Sequence, residues 1–185
     1  ISANEIGRRT PQHKAVIEAA KTAHVPYIAY TSLLNADTNT ISLAQEHRET
    51  ESLIKESGLK YTFLRNNWYS ENYLANVRHV AEEGVLYGSA QDGKISSASR
   101  QDYAEAAAKV LASEGHDNKL YELAGSTSFT LTDLAGYIGQ AVGKSVHYQN
   151  ISPEDYTAAL TNAGLPEGLV YLIVDADVQT AKGVM

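Results

Sequence analysis

Two apolar, β-branched runs on either side of a charged helical stretch do most to limit what this chain can become. Residues 25–32 (VPYIAYTS) and 60–65 (KYTFLR) read as buried strands. Between them, residues 42–57 carry helical spacing, with Leu43, His47, Glu51 and Ile54 among their marks, and Gly58 supplies the stop. A helix also precedes the first strand, with Thr10 as N-cap, Pro11 at the first helical position and an apolar stripe of Ala15, Val16, Ala19 and Ala20. Helix, strand, helix, strand in this rhythm gives parallel βα units and an α/β sheet.

Beyond Tyr69 the elements shorten. A helix is expected to Glu83, closed by Gly84, then two short strands, 85–90 (VLYGSA) and 94–99 (KISSAS), around a turn at Gln91-Asp92-Gly93. An Ala-rich helix over 101–113, a strand over 119–124 and a helix after Ser126 follow. Residues 145–150 (SVHYQN) read as a strand, and Ser152-Pro153 opens the first of two further helices. We divide the chain into 1–84, an α/β domain, and 85–185, mainly a smaller mixed lobe from which some elements return to the first domain.

Composition removes several classes of function. Twenty-two acidic residues against fifteen basic give a net charge of −7, a poor match to nucleic acid or an anionic membrane. Without cysteine there is no disulfide framework and no thiolate metal site. No apolar run approaches the ~18 residues of a membrane span, and no leader pattern opens the chain, so a cytoplasmic protein is expected. The chain begins at Ile1 and stops at KGVM, which reads as a piece of something longer.

The chemistry concentrates in 64–73 (LRNNWYSENY). Amides beside large flat rings suit a planar ligand with a polar edge. Trp68, Tyr69 and Tyr73 could equally be an aromatic core cluster, but Asn66 and Asn67 are costly to bury unless something satisfies them. Ser96, Ser97, Ser99 and Arg100 either line the same cleft or end a strand. His47, with Glu51 one turn on, is either a general acid titrating near neutrality or an ordinary surface pair; the second reading is favoured. Gly136, Gly139 and Gly143 are not a phosphate loop: the first two fall inside a helical pattern, where close packing is their purpose, and the third caps it. The six histidines show no metal spacing, and no G-x-S-x-G elbow exists.

The runs AYTSLL (29–34), AQEHRETE (44–51), YTFLRNNWYSENYL (61–74) and GKISSASRQDYAEAAA (93–108) resemble the NmrA-like, atypical short-chain dehydrogenase/reductase group. Within it the likeness is to the type-2 bacterial NAD(P)H:quinone oxidoreductases. YELAG (121–125), NISPEDYTAAL (150–160) and AGLPEGL (163–169) extend it along nearly the whole chain. The resemblance implies a Rossmann-like parallel sheet with a small mixed C-terminal lobe and NADPH (or NADH) in the cleft between them. It implies cofactor contacts from Ser2, Ala3, Asn4, Asn66, Asn67, Trp68, Tyr69, Ser70 and Glu71, and hydride transfer to a small-molecule quinone without flavin or metal. Asn66, His47 and Tyr69 are the candidate catalytic residues.

Two departures qualify the likeness. The Tyr-x-x-x-Lys pair of ordinary short-chain dehydrogenases is missing, with Leu43 and His47 in its place, which favours quinone reduction over alcohol oxidation, since reduced quinone oxygens need no dedicated tyrosine acid. The family's glycine-rich first βαβ segment would precede Ile1, about seventy residues. Alternatives to turnover are a dinucleotide-binding redox sensor and an inactive fragment of the reductase.

Overall fold

A computed structural model of the chain describes residues 7–184. Two helix–strand repeats open it: α1 (Arg9–Thr22), β1 (Tyr27–Leu33), α2 (Leu43–Glu56) and β2 (Lys60–Asn66). β1 and β2 pair in parallel, Tyr27 opposite Lys60 through Leu33 opposite Asn66. β4 (Lys119–Leu123) pairs in parallel with the other side of β2, so β2 is the middle strand. Alternate strand residues send Ile28, Tyr30 and Phe63 to the helices, where Ile17 of α1 and Ile54 of α2 complete a buried cluster. The expected parallel α/β sheet is present.

Thr10 does not cap its own helix. The N-cap of α1 is Arg8, without a side-chain cap bond. The Thr10 hydroxyl instead donates to Glu49 Oε2 at 2.7 Å, and the Arg9 N–H to Glu46 Oε1 at 3.2 Å. Two carboxylates of α2 thus serve the positive end of α1. The polar loop after β1 is also ordered. Buried Asn39 ties Leu34 O to Ile41 N, and Arg48 donates to the carbonyls of Ala36 and Asn39.

The chain forms two compact units. One takes the chain up to Asn67 together with Ser99–Ala124; the other takes Trp68–Ala98 and the chain from Gly125 onward. α5 (Arg100–Leu111) and β4 belong to the first. The second holds the short α3 (Glu71–Leu74) and α4 (Val77–Glu83), β3 (Val85–Gly88), α6 (Leu131–Val142), β5 (His147–Asn150), α7 (Pro153–Asn162) and α8 (Glu167–Ala181).

Of the two short strands expected about the turn, 85–90 and 94–99, only the first forms, as β3. β3 pairs in parallel with β5. The turn at Gln91–Gly93 exists, closed by Gly93 N to Ala90 O at 2.9 Å, but the backbone beyond it finds other partners. Ala90 N donates to the Tyr148 hydroxyl and Gln91 N to Asn150 Oδ1. Ile95 bridges to Phe129 and Ala98 to Tyr69. Ser152 caps α7 with Pro153 next to it, as its sequence promises. Gly139 lies where a Cβ would meet Lys144 O at 2.8 Å, whereas a Cβ at Gly136 would meet open space. Close packing therefore explains only Gly139.

Candidate active site

Parallel α/β sheets bind ligands outside the carboxyl ends of their strands. At that end of the middle strand stand Asn66 and Asn67, only 4% and 5% exposed. The Asn67 N–H donates to Leu123 O of β4 at 2.9 Å, and Asn66 O accepts from Leu34 N at 3.0 Å. Two side-chain amides are thereby held on a backbone that is itself hydrogen-bonded to both neighbouring strands.

Directly before them, Arg65 explains how they are held. Its Nε and Nη2 grip Glu51 of α2 in a two-pronged pair at 2.9 and 2.6 Å, with both side chains about 3% exposed. Nη1 reaches Asp37 at 2.7 Å and Glu122 of β4 at 3.0 Å. Glu51 also accepts from the Ser32 hydroxyl of β1 at 2.6 Å. One guanidinium thus ties all three strands and α2 together one residue from Asn66. A planar fork suits this task, because its donors have fixed directions. The carboxylates keep Arg65 charged well above its ordinary range. Glu51 is consequently a buried ion-pair partner of Arg65, and the surface pair with His47 does not describe it.

Trp68, Tyr69, Ser70 and Glu71 begin the second unit. Trp68 O accepts from Ala98 N at 3.2 Å and Ser70 N donates to Ala98 O at 3.0 Å, a two-bond clamp that holds the turn into α3. The Ser70 hydroxyl lies 2.9 Å from that of Ser97. Half-buried Trp68 packs with Tyr73, Phe129 and Tyr148 against Ala90, Ile95 and Leu131, so the indole does join an aromatic core cluster. Glu71 is the first residue of α3. Ser99 caps α5 in a reciprocal box with Asp102.

His47 lies in the first unit. Its Nδ1 is 2.7 Å from the Tyr30 hydroxyl. Burial, then the charge of Arg9 and then that of His13, push its pKa down to about 3. A histidine titrating near neutrality is therefore corrected: at physiological pH this imidazole is uncharged. Ser2, Ala3 and Asn4 lie outside the described residues.

The sequence reading did not single out Asp177. This α8 carboxylate is 7% exposed and accepts the Ser89 N–H at 2.8 Å. Burial pushes its pKa up to about 6. The signal available was weak: two acidic residues, Asp175 and Asp177, in an otherwise apolar helical run, VDADV.

The donor chemistry fits one end of a nicotinamide dinucleotide. Paired buried amides match the donor and acceptor of a carboxamide. For the pyrophosphate, no glycine-rich turn joins a strand to a helix among the described residues. No described cluster of three histidines or acids could hold a metal ion.

A family model described as NAD(P)H-binding matches residues 1–114. The chain belongs to the NAD(P)H-binding family. Quinone oxidoreductase 2 of Escherichia coli strain K12 is 55% identical to it over 183 residues, 99% of this chain and 64% of that protein. The crystal structure of the Escherichia coli NADPH-dependent quinone oxidoreductase complexed with NADPH matches at a TM-score of 0.96 and 54% identity, covering 99% of this chain and 65% of the other. Triphenylmethane reductase of a Citrobacter species, complexed with NADP(H), matches at 0.95 and 34%, covering 99% and 66%. The chain thus spans just under two thirds of these relatives. The resemblance read from the sequence and the Rossmann-like fold class both stand.

Proposed function

We propose that the protein carrying this chain reduces quinones with NADPH, transferring hydride directly and without flavin. The observation that carries the reading is the buried amide pair Asn66-Asn67 at the carboxyl end of the middle strand, in a chain 55% identical to a quinone oxidoreductase. Bound there, the reduced nicotinamide would supply the hydride. Asn66 and Asn67 orient the carboxamide or polarise a quinone oxygen, and Trp68 and Tyr69 offer flat surfaces to the two rings. Ser70 and Glu71, with Ser2, Ala3 and Asn4, complete the cofactor contacts, and His47, uncharged at neutral pH, serves the quinone as a hydrogen-bonding group. The first unit, the chain up to Asn67 with Ser99–Ala124 rather than 1–84, is the dinucleotide-binding domain, and the second is mainly the substrate lobe. Among the described residues no helix is long and apolar enough to cross a membrane, and the absence of cysteine in 185 residues fits a reducing, cytoplasmic setting.

The test follows NADPH absorbance with a simple quinone, using the complete protein. Steady loss of signal is expected. Binding of NADPH without loss would make the protein a sensor and end the proposal. Asn66→Ala should lower turnover between about tenfold and a hundredfold, the range for one hydrogen bond made in the transition state, with the unfolding midpoint retained. Unchanged turnover in that variant would remove Asn66 from the site.

A further inference from the structure

The polar groups between α1, β1 and α2 favour one placement of their hydrogens. The Thr50 hydroxyl has a single hydrogen and gives it to Glu46 O at 2.8 Å. Its oxygen therefore faces His13 as an acceptor, and His13 Nδ1, 3.0 Å away, carries a hydrogen. The Tyr30 hydroxyl has two acceptors beside it. One is Thr50, already receiving from His13; the other is His47 Nδ1 at 2.7 Å. An imidazole nitrogen lone pair accepts better than a phenol oxygen, whose lone pair is shared with its ring, and the phenol is the more acidic donor. The phenol donates and Nδ1 accepts.

Packing keeps Tyr30 in that position. The ring is 1% exposed and meets His13 and Phe63 edge to face, with centroids 5.5 and 6.3 Å apart. A ring so enclosed keeps its hydroxyl between Thr50 and His47 Nδ1.

We propose that Tyr30 is a positioning residue that holds His47 in the Nε2–H tautomer, so that His47 offers a quinone oxygen a hydrogen bond and not a proton. The proposal rests on the quinone-reductase reading above. Its surroundings agree. The groups facing the two rings are Arg9 and His13 from α1 and Glu46, Thr50 and Glu51 from α2. Both imidazoles are uncharged at neutral pH, with pKa values of about 4 for His13 and about 3 for His47, burial being the larger cause in each. The stoichiometry stays whole. Reducing a quinone to a hydroquinone takes one hydride and one proton; the hydride comes from the nicotinamide, the proton from solvent water, and His47 keeps its own.

Nitrogen-15 NMR of the histidine-labelled complete protein tests this without reference to activity. We expect the His47 hydrogen on Nε2, with a pattern constant from pH 5 to 8, and mixed tautomers in Tyr30→Phe. A hydrogen on Nδ1, titration within that window, or an unaltered pattern in Tyr30→Phe would overturn the inference. A second route avoids disturbing the core: His47→Gln places an amide N–H near the Nε2 position. It should keep kcat within about threefold, whereas His47→Leu loses about tenfold, with KM for NADPH unchanged in both. Equal loss in the two variants also overturns the inference. Loss of the NMR pattern with quinone turnover intact defeats this inference alone; an intact pattern without wild-type turnover defeats the functional reading beneath it.

Discussion

Asp177 is the residue whose environment most contradicts its chemistry. A carboxylate 7% exposed, with the Ser89 N–H as its one hydrogen-bond donor among the described residues, is desolvated more than it is compensated. Its pKa rises from 3.8 to about 6, so the folded state holds a proton that the unfolded chain releases in that interval. Stability is then greatest below pH 4, falls as pH rises from about 4 to about 6, and is level above, by an amount on the order of 3 kcal/mol. Asp177→Asn keeps an acceptor for Ser89 and abolishes the charge. Urea unfolding of both proteins should show similar stability near pH 4 and a more stable variant at pH 7.5. A variant less stable than wild type at pH 7.5 would mean that the charged carboxylate is favoured in the fold and that burial does not govern its titration. The same contrast separates readable residues from unreadable ones. Asn66 and Asn67 stand out because consecutive amides after an apolar strand are chemically unusual. Asp177 looks like any acid on a helix until burial is known.

At the scale of elements, several local signals that involve only neighbours in sequence held. Ser152-Pro153 begins α7, and Gly84 and Gly143 end α4 and α6 in left-handed conformation. Two other local signals misled. Thr10 has the appearance of a cap, but its hydroxyl goes to Glu49, while Ser99, read as site or strand end, caps α5. The two serve different purposes and should respond differently to truncation. Ser99→Ala should cost about 1 kcal/mol of unfolding free energy, as lost caps do. Thr10→Ala should cost only a few tenths, because its exposed bond competes with water. Guanidinium titration compares them directly, and equal losses would refute the assignment. The 85–99 segment teaches the same lesson. Two β-like runs about a Gly-containing turn suggest two strands, but only the first forms, and its partner is β5.

At the scale of the whole molecule the chain leaves the first unit after Asn67, returns at Ser99 and leaves again after Ala124. Each crossing is held by backbone bonds within one unit: Asn67 N to Leu123 O in the first, Gly125 N to Ser96 O in the second. The second bond brings the backbones so close that a Cβ at Gly125 would lie 2.1 Å from Ser97 O, which only glycine permits. If the protein uses NADPH, binding must shift its folding equilibrium. NADPH at a hundred times its Kd should raise the unfolding free energy of the complete protein by about 2.7 kcal/mol. Thermal scans with and without NADPH measure it, and coincident scans at saturating concentration would contradict cofactor binding.

What the sequence by itself determined is what depends on periodicity and on residue type: the helix–strand alternation, the parallel sheet, the exclusion of thiolate chemistry, and the amide-rich run after the second strand. Short-range order follows from neighbours three or four positions away, and these are printed in the chain. Tertiary structure alone decided that Arg65 would bind Glu51 rather than leave it to His47, that Tyr30 would meet the imidazole, and that Asp177 would be stripped of water. Each of those outcomes joins residues 14 or more positions apart. Burial and hydrogen-bond partnership are properties of the packed chain, and they set the charge on every group that the chemistry needs.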